Sequence, residues 1–441
     1  MDLTRKIWKL VQSPAVVFVV AVSVRLGAAW QLLPEKAGIY FYRNNEPSRI
    51  AWALVSGHGY SSPWPNTPLL ATAQQPPGYP LLLAAIFRVF GAYSLSSLWT
   101  AVALNAVFAA LTAITMLQIG MARFGTPVGV LAAWVWSCWL YEAAVSIRLW
   151  ESALSALCLS IVLLLLPAVA ASTRASRWLG FGLLAGVAVL TNTTLLALVP
   201  FFWLWLWISC RGQGRSCNRW LLGSVAMCVL VLTPWTIRNY IAFHRVIPLR
   251  DNFGLEFWVG NHEDMTSRDF PLFNPAEYNR LGEIQFMEAK RQDGLQFVRQ
   301  HPLQFCRSSL RRAQRFWTEP QGSAWRWISP LAWLGGFLAI RRKGIQAAEY
   351  LVVLLIFPLV YYITHTFPTY RHPIEPVILL LGAYATVTVS QRVATVRSQS
   401  PLSSASHGLA PTASSFPPGP VRGAINLGGN SSSARAVRNA F

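Results

Sequence analysis

Ten apolar stretches with few charges, strung along 441 residues, leave this chain only one kind of surroundings to fold in. They run Pro14–Leu33, Ser97–Ile119, Val128–Ser146 and Trp150–Ala171, then Leu179–Ser209, which counts twice. Leu221–Thr233, Trp327–Ile340, Ala348–Ile363 and Pro373–Ser390 complete the set. A membrane helix needs about 20 apolar residues, and shorter ones are tolerated inside a bundle. Leu179–Ser209 is too long for one such helix, and Thr191-Asn192-Thr193-Thr194 interrupts it, so it is read as two. Only 12% of the residues are charged, against about a quarter in a soluble protein. The pattern predicts an all-α polytopic membrane protein of about ten transmembrane helices. MDLTRKIWK leads straight into the first span without a cleavage site, so that span is expected to stay uncleaved.

Charge orients the bundle. Arg5, Lys6 and Lys9, then Arg123, Arg174 and Arg177, then Arg211, Arg215 and Arg219 fall in alternate segments. Arg341, Arg342 and Lys343, then Arg392 and Arg397 continue the series. Such basic segments stay cytoplasmic, which places both termini inside. The same distribution explains the net charge of +20 without nucleic acid as a partner. The expected organisation is a cytoplasmic N-terminus over 1–13, a catalytic membrane domain over 14–393 and a disordered cytoplasmic tail over 394–441, rich in Ser, Ala, Gly and Pro. A first outer loop covers 34–96 and a larger outer segment covers 238–326. The latter is expected to hold amphipathic helices, one with Arg307, Arg311 and Arg315 on a single face, suited to the membrane surface. The six Cys form no disulfide framework, the seven His form no ligand pair, and no nucleotide loop is present. No cofactor is indicated; a divalent metal is left open without a residue pattern pointing to it.

Nearly all acids fall on the outer side, and the candidate chemistry is there. Glu46, in the first outer loop, reads as a general base or as a solvated acid paired with Arg49. Glu151, at the outer end of the fourth span, reads as a cavity acid or as the local partner of Arg148. Arg371 and His372, beside Tyr370, and Arg238 in TPWTIRNY sit at outer span mouths. Each reads as a phosphate contact or as an interface anchor. Arg25, inside the first span, is left unassigned.

In order along the chain, EPSRIAWALVSGHGYSSPW, QQPPGYPLLLA, TPWTIRNY, RDNFG and YRHPIEP resemble the dolichyl-phosphate-mannose-protein mannosyltransferase-like family of GT-C membrane glycosyltransferases. Its relatives include bacterial aminoarabinose lipid A transferases. The resemblance covers about Ala15–Ser390 and implies a GT-C-type bundle in a bacterial inner membrane. It implies an inverting transfer, on the extracytoplasmic face, of a sugar from a polyprenyl-phosphate donor to a lipid, glycan or protein acceptor. It maps the catalytic acids to Glu46 and Glu151. Gln75 stands where the aminoarabinose transferases carry a Lys, which moves the donor-phosphate role toward Arg238 and Arg371, with Tyr370 and His372 beside it and Arg49, Arg148 and Gln75 in support. The other readings of the chain are a flippase of lipid-linked glycan and an O-antigen ligase or polymerase.

Overall fold

The computed structural model describes residues 2–33, 42–61, 63–65, 67–263, 274–318 and 325–399. Residues 1–386 form one compact unit; Val387–Phe441 form a second, whose described part is the end of a helix. The sequence-predicted tail lies, from 400 onward, outside the described residues.

The first unit is helical. Helices α1 (Asp2–Val11) and α2 (Pro14–Leu32) lead to α3 (Glu46–Val55), α4 (Gly78–Phe90) and α5 (Leu95–Arg123). Then come α6 (Thr126–Cys138), α7 (Leu140–Ser146), α8 (Ser152–Ala170), α9 (Ala175–Thr191), α10 (Val199–Gly212) and α11 (Asn218–Phe243). Beyond α11 come α12 (Phe253–Val259), α13 (Pro275–Gln300) and α14 (Pro302–Thr318), then α15 (Trp325–Lys343), α16 (Ala348–Ile356), α17 (Leu359–Ile363) and α18 (Glu375–Gln399). Among the described residues, seven stretches are long and apolar enough to cross a membrane, or eight with the bent pair α6–α7. The expected count of ten is approached once α9, at 17 residues, is included and the Trp327–Ile363 stretch is divided at its 3-10 turn, Gly344–Ala347. The break expected at residues 191–194 is present: α9 ends at Thr191, Asn192 is extended, and its side chain caps the 3-10 turn Thr193–Ala197. The chain is a multi-pass membrane protein.

Lipid gives helices no hydrophobic reason to associate, so close backbone contact through small residues matters more. Gly182 and Gly186 of α9 meet α11 so closely that a Cβ on Gly182 would stand 2.1 Å from the Ser224 carbonyl oxygen. Gly78, in the PPGYP run, brings the start of α4 against the end of α9; a Cβ there would stand 2.8 Å from the Leu190 carbonyl oxygen.

The bend between α6 and α7 is 66°. A break inside the bundle frees backbone carbonyls that lipid cannot satisfy. Arg25 satisfies them: its guanidinium donates to the carbonyls of Trp136 (3.1 Å) and Ser137 (3.3 Å) and to Ser146 Oγ (3.1 Å). The side chain is fully buried beside Trp136, pointing into the bundle rather than snorkelling out. Arg25→Ala orphans both carbonyls, at about 1–3 kcal/mol each. A lowered thermal midpoint of the purified protein in detergent, only partly restored by Arg25→Lys, is the expected result.

Candidate active site

The Glu46 neighbourhood is built around a short strap, residues 71–76, whose backbone is held from four directions. Ala71 bridges to Ser61, and Thr72 N donates to the Tyr60 carbonyl at 3.1 Å. Arg238, near the C-terminal end of α11, donates to the carbonyls of Tyr60 (2.6 Å) and Thr72 (2.7 Å). Just beyond α11, Asp251 N donates to the Ala73 carbonyl (3.1 Å) and Arg250 Nε to that of Gln74 (2.7 Å). Tyr60 O–H donates to the Gln75 carbonyl at 2.9 Å. The fourth hold is Glu283 of α13, which accepts from Thr72 Oγ1 and Ala73 N, both at 2.5 Å, and from Tyr278 O–H at 3.0 Å. Gly282, at φ +73°, kinks α13 immediately before this acid. An L side chain is strained in that conformation, and glycine is not. Burial pushes the Glu283 carboxyl up to about 7, against the three hydrogen bonds that favour its charged form.

So fixed, the strap presents Gln75, whose amide donates to Glu46. Glu46 is the first residue of α3. Asn45 caps that helix by accepting from Ser48 N at 2.9 Å, and Pro47 fits its first turn. The acid therefore sits at the positive end of a helix dipole. Even so, burial lifts its carboxyl to about 8, with Glu256 and Glu151 adding to the rise and Arg250 and the Gln75 hydrogen bond opposing it. Glu151, just before α8, is pushed up to about 7 by burial, opposed first by Arg250. Glu46 and Glu151 thus share Arg250 as their first opposing charge, and Glu256 acts on Glu46. Tyr361 and Tyr370 pack together, with ring centroids 5.0 Å apart, and Tyr361 O–H lies 3.1 Å from Thr194 Oγ1 in the α9 break. Both tyrosines lie within electrostatic range of Glu256 and Arg250.

Several sequence expectations end elsewhere. Glu46 is held by Gln75, not by Arg49, and Glu151 has Arg250 rather than Arg148 as its principal opposite charge. Arg148 instead acts on Tyr141 and His372. Arg371 is 1% exposed and does not open on the outer surface. It pairs with Glu375, reaches Ser329 Oγ at 2.8 Å and caps the end of α14 through the Phe316 carbonyl at 3.2 Å. His372 is engaged with Glu142 at 2.5 Å, in the bundle. Arg238 is occupied with the strap. On α14, Arg307 and Arg311 are exposed, whereas Arg312 is the buried member and holds the carbonyls of Gly260 (2.6 Å) and Tyr362 (2.7 Å). Arg250, Glu256, Glu283 and Glu142 were given no role in the sequence reading. Arg250 opens the RDNFG motif, and Glu142 is an acid inside an apolar span; those were the available signals. Among the described residues, no group of three His, Cys, Asp or Glu side chains is placed to hold a metal ion.

Residues 74–237, from the strap into the last turns of α11, match the family model described as dolichyl-phosphate-mannose-protein mannosyltransferase. Among solved structures, the oligosaccharyltransferase of Archaeoglobus fulgidus, in a complex with Zn and sulfate, is 12% identical, with a TM-score of 0.53 over 86% of this chain and 49% of that one. The archaeal oligosaccharyltransferase AglB from the same organism, in complex with an inhibitory peptide and a dolichol-phosphate, is 11% identical, with a TM-score of 0.51 over 91% and 52%. ArnT from Cupriavidus metallidurans, bound to undecaprenyl phosphate, is 15% identical, with a TM-score of 0.48 over 84% and 59%. The chain spans about half the length of these solved structures. No curated protein matches it. The fold is that of the GT-C membrane proteins. Within that fold, the match to the dolichyl-phosphate-mannose-protein mannosyltransferase model takes in QQPPGYPLLLA and the first part of TPWTIRNY among the motifs.

Proposed function

We propose that this chain is an inverting glycosyltransferase that takes a sugar from a polyprenyl-phosphate donor and transfers it, on the extracytoplasmic face, to a lipid, glycan or protein acceptor. The observation that carries this reading is that Glu46, hydrogen-bonded through Gln75 to the fixed strap, and Glu151 share Arg250 as their first opposing charge, with Glu256 and Glu151 both acting on Glu46. Glu46 takes the proton of the acceptor O–H or N–H. The freed lone pair attacks the anomeric carbon from the face opposite the phosphate, the carbon–oxygen bond to phosphate breaks, and its electron pair leaves on the phosphate oxygen. Arg250 meets that growing charge, where a preorganised donor is worth most. The phosphate role expected of Arg238, Arg371 and His372 passes to it, because those three are bound to other partners. Arg238 keeps an indirect part by fixing the strap. Glu151 orients the acceptor or the donor. A solved structure of similar fold carries a dolichol-phosphate, which supports a lipid-phosphate donor.

The test is transfer in proteoliposomes supplied with polyprenyl-phosphate sugars and candidate acceptors. Glycosylated acceptor with release of polyprenyl phosphate is expected. Movement of intact lipid-linked sugar across the vesicle without covalent transfer would instead make the chain a flippase.

A further inference from the structure

Glu256, His365 and Tyr370 come from three places in the chain and form one hydrogen-bonded line that ends at the acid cluster. His365 precedes the last membrane helix and is buried. Its Nδ1 lies 3.2 Å from Glu256 Oε2 and 3.4 Å from the Glu256 carbonyl oxygen. Its Nε2 lies 2.9 Å from Tyr370 O–H. The other Glu256 oxygen is occupied by Asn252 Nδ2 at 2.8 Å, which fixes the carboxylate.

The chemistry of these partners settles the tautomer. Both oxygens facing Nδ1 are acceptors, so Nδ1 carries the hydrogen and donates. The charged groups acting on the ring are Glu256, which favours the imidazolium, and Arg312, which opposes it together with burial; the outcome holds His365 below its ordinary range and neutral. In a neutral ring with hydrogen on Nδ1, Nε2 can only accept, so the Tyr370 hydroxyl must donate to it. Its oxygen then has only lone pairs left to offer, in a partly buried side chain within electrostatic range of Glu46.

We propose that this line is a positioning device: Glu256 and His365 lock the Tyr370 hydroxyl so that its oxygen receives a hydrogen bond from a second O–H or N–H of the acceptor, and the attacking group is held with its own proton facing Glu46. The assignment rests on the glycosyltransferase reading for the acceptor, but its geometry does not. It gives Tyr370 a role toward the acceptor, whereas the sequence pointed it toward the donor phosphate.

Two measurements decide it. In full-length protein labelled with 15N-histidine, His365 is expected to show a protonated Nδ1 and a bare Nε2 at neutral pH, and Glu256→Gln is expected to abolish that preference. A hydrogen on Nε2, or a cationic ring, would overturn the proposal whether or not any sugar is transferred. In the transfer assay, Tyr370→Phe is expected to raise the acceptor KM about tenfold, the value of one well-made hydrogen bond, with the donor KM unchanged. A rise in donor KM instead, or no change in acceptor KM, would also overturn it. Absence of transfer by the unmutated protein would sink the glycosyltransferase reading, while the tautomer would still decide the hydrogen-bonded line.

Discussion

Glu46→Gln is expected to reduce transfer by about 10²–10⁴-fold, the usual contribution of a positioned general base, while donor binding persists. The substitution keeps the side chain's size and its place beside Gln75, so the strap has no reason to move. The same residue sets a pH signature. A base works only when unprotonated, and burial together with Glu151 and Glu256 raises the Glu46 carboxyl to about 8. The protein is therefore expected to gain kcat/KM as pH rises, with an acidic limb centred near 8. A limb in the ordinary carboxylate range would show that another group governs the reaction. Full activity of Glu46→Gln in folded protein would remove the catalytic assignment.

Arg250→Ala is expected to cost about 10²–10³-fold in kcat, the scale seen when one preorganised donor to a developing negative charge is removed. It should also move the acidic limb upward, because Arg250 is the first-ranked influence holding the Glu46 carboxyl down. These two effects separate the charge from the frame. Arg250→Lys keeps a positive charge near the acids but lacks the planar fork, whose separated nitrogens let Nε hold the Gln74 carbonyl while the far end meets a phosphate. That variant is expected to leave the limb near its original position while recovering little of kcat. Equal loss in both variants with an unmoved limb would make Arg250 a structural clamp only.

The helices were legible in the sequence because lipid imposes so simple a rule on them. Apolar length and the alternation of basic segments were enough to divide the run at residues 191–194. The neighbours of each acid were not legible. Pairing read along the chain matched Glu46 with Arg49 and Glu151 with Arg148, since helical spacing is all that sequence offers. The contacts that formed join residues far apart: Gln75 to Glu46 across 29 positions, and Glu283 to Thr72 across 211. For the same reason, exposed span mouths seemed suited to Arg371 and Arg238, although a helix end and a strap claimed both guanidiniums first.

The capping of the broken helix by Arg25 has a consequence for how the protein is made. Residues 136 and 137, whose carbonyls Arg25 serves, follow it by 111 and 112 positions. At about 5–20 residues per second, they leave the ribosome roughly five to twenty seconds after it. In that interval the first span carries a guanidinium near its middle, at about 2.5–3.5 kcal/mol against insertion. The opening helix is thus a guest that the bilayer accepts on credit: biogenesis must keep it beside the translocon, or in the care of an insertase, until its partners arrive.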